Sequence, residues 1–197
     1  MNTTKKLTTS ALLVALATVL MWVSKLIPAP WLQGGSVTIA SMVPIIAVGI
    51  MFGTKWGLCS SLAYAILQMM FGFYPPPTQT FLNFVLVILL DYIIAFGGLG
   101  LSGIVFNLSG KKAFSAGLSA FTVTLLRYVC HILSGILIWG VYAEGQSVLI
   151  YSLVYNGTYM IPEIIISTVV TTLIFNVCFK FCVATAGVSC YYSLASN

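Results

Sequence analysis

Arg127, His131, Gly135 and Trp139 recur every fourth residue, so a helix would carry them along one face. Arg127 and His131 are the chain's only arginine and histidine, and Asp91 is one of three acidic residues. A carboxylate, an imidazole and an indole suit a small, flat, cationic ring: the carboxylate balances the charge and aromatic faces attract it. Tyr92 and Tyr151 supply further aromatic faces, and the Asn156 amide can donate and accept at a ring edge. Gly135 leaves a notch in which a ring could stack between His131 and Trp139. The plainer alternative is close helix packing through Gly135, with Trp139 as an interfacial belt residue. Arg127 lies deeper and reads as structural; a buried Asp91–Arg127 pair is the packing alternative for Asp91. Asp91 and His131 could also serve an intramembrane enzyme as an acid–base pair, though no nucleophile or metal cluster accompanies them. Glu163 either joins this set or snorkels to the membrane interface.

The elements that must position these groups are apolar throughout. Of 197 residues, 60% are hydrophobic and 6% charged, against about 25% charged in ordinary soluble domains. Recurrent apolar runs of about 20 residues predict an all-α integral membrane protein rather than a β-barrel, whose strands would alternate. The expected architecture is one membrane domain over residues 1–197, with helices near 8–27, 39–52, 56–71, 81–106, 113–139 and 159–182. Pro28 and Pro30 stop the first helix, Pro44 predicts a tilt or kink in the short second one, and Pro75–Pro77 form a stiff connection after the third. The N-terminal run reads as a retained helix, because it continues to Ile27 without a small-residue cleavage site.

Lysines set the orientation. In a six-span bundle Lys5, Lys6, Lys55, Lys111, Lys112 and Lys180 share one side, and Lys25 falls on the other. The positive-inside rule then puts both termini in the cytoplasm. The net charge of +5 forms no patch for nucleic acid; the lipid bilayer is the expected surrounding. At about 1.5 Å per residue, Asp91 would lie roughly 15 Å and His131 roughly 12 Å below the outer ends of their helices. Two ionisable groups at matching depth predict one interior cavity open to the outside.

Five cysteines without CxxC spacing give no disulfide framework. The chain has no GxxxxGK[ST] and no HExxH, which excludes a self-contained ATPase and a zinc hydrolase; no cofactor is implied. No inverted repeat is visible, which disfavours a self-sufficient secondary transporter.

The segment RYVCHILSGILIWGVYAEGQSVLIYSLVYNG, with LLDYIIAFGGLGLSG upstream, resembles the thiamine-specific substrate-binding (S) components of energy-coupling factor (ECF) transporters. The resemblance implies six helices with both termini inside a bacterial plasma membrane, a thiamine pocket facing outward and no catalysis. It also implies partners: a transmembrane coupling subunit and two ATPases. By position, the family's pocket histidine falls on His131, its stacking tryptophan on Trp139, and the tyrosine and asparagine of the last outer loop on Tyr151 and Asn156. The family's Glu-Tyr pair falls on Asp91-Tyr92, one methylene shorter, and a helix-3 tryptophan on Tyr64. Trp31 and Tyr74 are the aromatic candidates in the first two outer loops. Ala11 and Ala15 match the family's docking motif for the coupling subunit. The shorter acid and Tyr64 leave open another small vitamin or a thiamine precursor as the ligand.

Overall fold

The computed structural model describes residues 2–26, 37–110 and 113–186, with side chains through Cys178 except that of Ala113. Among these residues the chain is wholly helical: α1 (Thr3–Ser24), α2 (Val43–Phe52), α3 (Thr54–Gly72), α4 (Phe81–Leu108), α5 (Ala113–Leu137) and α6 (Val148–Ala186). Four of them, α1, α4, α5 and α6, are long and apolar enough to cross a membrane. At ten residues, α2 covers about 15 Å, half of a hydrocarbon core of about 30 Å.

Exposure is inverted relative to a soluble protein. Leu12, Leu16 and Val19 on α1, Leu133 and Leu137 on α5, and Ile165, Val169 and Leu173 on α6 all face outward. Polar groups turn inward, with Ser115, Ser119, Thr124, Arg127, His131 and Ser134 on α5 meeting Ser152, Asn156, Glu163, Ser167 and Thr171 on α6. Lipid tails provide no hydrophobic drive between helices, so close approach and interior hydrogen bonds must hold the bundle together. A Cβ on Gly57 would lie 2.5 Å from the Gly100 carbonyl oxygen, and one on Gly103 would lie 2.5 Å from that of Gly49. Gly49 and Gly57 therefore pack α2 and α3 against the middle of α4. Gly117 and Gly135 do the same for α5 against Thr172 and Ser152 of α6.

Several boundaries differ from expectation. α6 begins at Val148, eleven residues early, so the loop expected over 140–158 shrinks to a 3-10 turn at Gly140–Ala143 and a short link. Tyr151 and Asn156 therefore stand on a helix. α2 starts at Val43, which puts Pro44 in the first turn, where its missing N–H leaves no gap and no kink follows. α1 runs from Thr3 to Ser24 rather than 8–27, and α5 ends at Leu137, leaving Trp139 in the turn beyond it. Within α4, Ile88–Ile94 is a π-helix, a widened turn often found at functional sites. Asp91 sits at its centre.

Candidate functional site

A cavity of about 480 Å³ opens between the C-terminal end of α1, α3, α4, α5 and the N-terminal part of α6, within the range of about 300–1,000 Å³ typical of small-molecule sites. Asp91, Tyr92, His131, Trp139, Tyr151 and Asn156 all line it, as does Tyr74 from the connection after α3.

Asp91 is the hub. Its Oδ1 lies 2.9 Å from His131 Nδ1, and its Oδ2 accepts from Ser134 Oγ at 2.6 Å. Trp139 Nε1 donates to Ser134 Oγ at 3.2 Å, with Asp91 Oδ2 3.4 Å away. A carboxylate only accepts, so Nδ1 of His131 carries the ring proton and Nε2 is left as an acceptor with no protein partner. The alternative Asp91–Arg127 pair does not form. Arg127 instead lays its guanidinium 4.2 Å over the Phe96 ring and donates to Met42 Sδ at 3.0 Å. It also borders the cavity, one turn below His131.

The aromatic groups form two stacks. Trp139 lies nearly parallel to Tyr142, at 16° and 6.4 Å, and tilts against Tyr74 at 5.4 Å. Tyr151 lies nearly parallel to Tyr155, at 15° and 5.8 Å, and Tyr155 meets Tyr159 edge-on. Tyr92 donates to the Gly72 carbonyl at 2.9 Å and accepts from the Tyr74 backbone N–H at 3.0 Å, which fixes the start of the α3–α4 connection.

Three candidates sit otherwise than expected. Tyr64 is fully buried outside the cavity, where it packs edge-on behind Phe96 at 5.6 Å and supports the wall. A Cβ on Gly135 would meet Ser152, with Asn156 Nδ2 also close, so this glycine packs α5 against α6 while also lining the cavity between His131 and Trp139. Asn156 spends its amide hydrogens on the His131 carbonyl (3.1 Å) and on Ser152, while Tyr159 donates to its Oδ1. It can therefore offer a visitor only a spare acceptor lone pair. Trp31 lies outside the described residues.

Glu163 neither snorkels nor lines the cavity. It is fully buried, and its Oε1 accepts from the Thr38 backbone N–H. The sequence reading missed Ser134, Tyr142, Tyr155 and Tyr159. The last two continue Tyr151 at intervals of four, a signal that depends on reading 148–158 as helix. Ser134, three residues from His131, stood in the same heptad-like face unremarked.

Comparison with known proteins shows similarity in sequence and fold. Residues 7–182 match the family described as thiamine transporter protein (Thia_YuaJ). The chain is 38% identical over 155 residues to the thiamine transporter ThiT of Bacillus subtilis strain 168, covering 73% of this chain and 76% of that one. It is 32% identical over 111 residues to ThiT of Lacticaseibacillus paracasei, covering 51% of this chain and 55% of that one. The solved structure of ThiT from Listeria monocytogenes has the same fold, with a TM-score of 0.69 over 89% of this chain and 95% of that one, at 21% identity.

Proposed function

The chain belongs to the thiamine transporter protein family, and on that premise we propose that its cavity binds thiamine as the S component of an ECF-type uptake system. The observation that carries the reading is the Asp91 hub: one carboxylate, held by His131, Ser134 and Trp139, in the wall of an aromatic-lined cavity. Thiamine joins a thiazolium cation to an aminopyrimidine, both flat, with a hydroxyethyl end. The Trp139–Tyr142–Tyr74 and Tyr151–Tyr155 faces suit the cation, because the ring quadrupole attracts positive charge most strongly where water is excluded. The negative field of Asp91 favours the same charge. The family is one of transporters, so Asp91 and His131 bind and do not catalyse.

The wider arrangement follows the same premise. The six-helix bundle sits in the membrane with both termini in the cytoplasm, as the lysine distribution favours, and the cavity faces outward. Ala11 and Ala15, both on the exposed side of α1, give a flat surface on which a transmembrane coupling subunit docks. Two ATPase subunits bound to that partner supply the energy for import, since this chain has no phosphate-binding loop.

Titrating the purified chain with thiamine while following tryptophan fluorescence tests the proposal. Saturable quenching at submicromolar ligand, without ATP or partner subunits, is expected, and Trp139→Phe should remove most of it. No response to thiamine alongside a response to a precursor or another vitamin would replace the ligand; no response to any would sink the reading.

A further inference from the structure

Ser134 sits behind the cavity wall. It is fully buried and does not line the cavity, whereas Asp91, His131 and Trp139 all do. We infer that Ser134 is a positioning residue that sets the orientation of both the Asp91 carboxylate and the Trp139 indole, an inference that rests on the binding site proposed above.

A serine hydroxyl has one proton to donate and two lone pairs to offer. Ser134 donates its proton to Asp91 Oδ2 at 2.6 Å, the short length of a charge-assisted bond. Its oxygen then accepts from Trp139 Nε1 at 3.2 Å. Other α5 hydroxyls behave differently: Ser119, Thr122 and Thr124 donate back to carbonyls four residues earlier on their own helix. That local bond is the default for a helical hydroxyl. Ser134 instead reaches across to α4.

Both of its partners need the tether. The terminal torsion of an aspartate is broad, so a carboxylate held by one oxygen can swing. His131 holds Oδ1. Without Ser134, Oδ2 would retain only the 3.4 Å approach of the indole. Trp139 lies past the end of α5, at the head of the 3-10 turn, so regular helix backbone does not fix its ring. The Ser134 oxygen is the nearest acceptor its N–H has. One hydroxyl therefore couples the charged wall of the cavity to its stacking face.

The test uses full-length protein carrying ¹⁵N-labelled tryptophan, in detergent or nanodiscs. Four indole N–H resonances are expected from the four tryptophans, and Trp139→Phe identifies the one of interest. In ligand-free protein, Ser134→Ala should move the Trp139 resonance clearly, and Ser134→Thr should leave it near its wild-type position. Thiamine affinity by calorimetry should fall about tenfold or more in Ser134→Ala and stay within about threefold in Ser134→Thr. Ser134→Cys, of similar size but a weak donor, gives the same reading should the alanine chain fail to accumulate. An unmoved resonance in Ser134→Ala, or equal affinity losses in the alanine and threonine chains, would overturn the inference. The resonance decides the role of Ser134 even if wild-type protein ignores thiamine, an outcome that removes only the ligand assignment.

Discussion

Asp91 on α4 and His131 on α5 meet at 2.9 Å, oxygen to ring nitrogen, across two neighbouring helices. The contact fixes the imidazole tautomer, joins the two helices at depth, and leaves Asp91's other oxygen for Ser134. A charge so placed inside a membrane bundle is costly to bury unless it is hydrogen-bonded and paired.

Asp91→Asn tests the charge with the shape retained. The amide offers one acceptor oxygen to two donors, from His131 and Ser134, and turns its own N–H groups toward one of them. Hydrogen bonds to charged groups contribute about 1.5–3 kcal/mol each, so thiamine affinity should fall at least tenfold by calorimetry. Affinity within a factor of two of wild type would remove Asp91 from the site.

Gly135→Ala should lower stability by about 1–3 kcal/mol through overpacking, because the new methyl meets the Ser152 side chain. Thermal unfolding in detergent reads this out as a lower midpoint. Adding Ser152→Gly should restore part of the loss, since it clears the two nearest atoms. If the single variant unfolds at the wild-type temperature, Gly135 is not a packing contact.

Glu163 separates charge from hydrogen bonding. Glu163→Gln keeps an acceptor for the Thr38 N–H, so its thermal midpoint should stay close to wild type. Glu163→Ala leaves that N–H without its partner and should cost about 1–3 kcal/mol or more, an orphaned buried donor being the expensive case. Equal midpoints for the two variants would mean that the acceptor is dispensable.

Tyr159→Phe removes the hydroxyl that donates to Asn156 Oδ1. Thiamine affinity should fall a few-fold, about what one neutral hydrogen bond gives. Combined with Asn156→Ala the losses should not add, because both act through one amide. Strict additivity in the double-mutant cycle would show that the two residues act separately.

Much of this molecule was legible in its sequence, and the exceptions share a cause. Apolar runs bounded by prolines and lysines marked the helices, and the four-residue spacing from Arg127 to Trp139 marked a face that borders the cavity. The N-terminal part of α6 is harder to read, because tyrosines, Asn156 and Gly157 have weak intrinsic helix propensity. Tertiary contacts offset that weakness: the Asn156 amide donates to the His131 carbonyl at 3.1 Å, and the Tyr128 hydroxyl donates to the Leu153 carbonyl at 2.9 Å, both between α5 and α6. The π-turn around Asp91 could not be read from periodicity, since one widened turn barely disturbs an apolar run. Tyr64 was placed in the cavity by alignment to a larger side chain, whereas packing sets it one layer behind, against Phe96.

The glycine contacts among α2, α3 and α4 also divide the chain genetically. Any change in the first or second base of a glycine codon adds at least a Cβ or ends translation, and around Gly49, Gly57, Gly100 and Gly103 a Cβ would meet backbone or a buried hydroxyl. The lipid-facing leucines, isoleucines and valines carry no such restriction, because one branched aliphatic group there serves nearly as well as another. Random mutation should therefore be tolerated over most of the outer surface and rejected at this small internal junction, which makes a library screened for folded protein a direct map of where the helices touch.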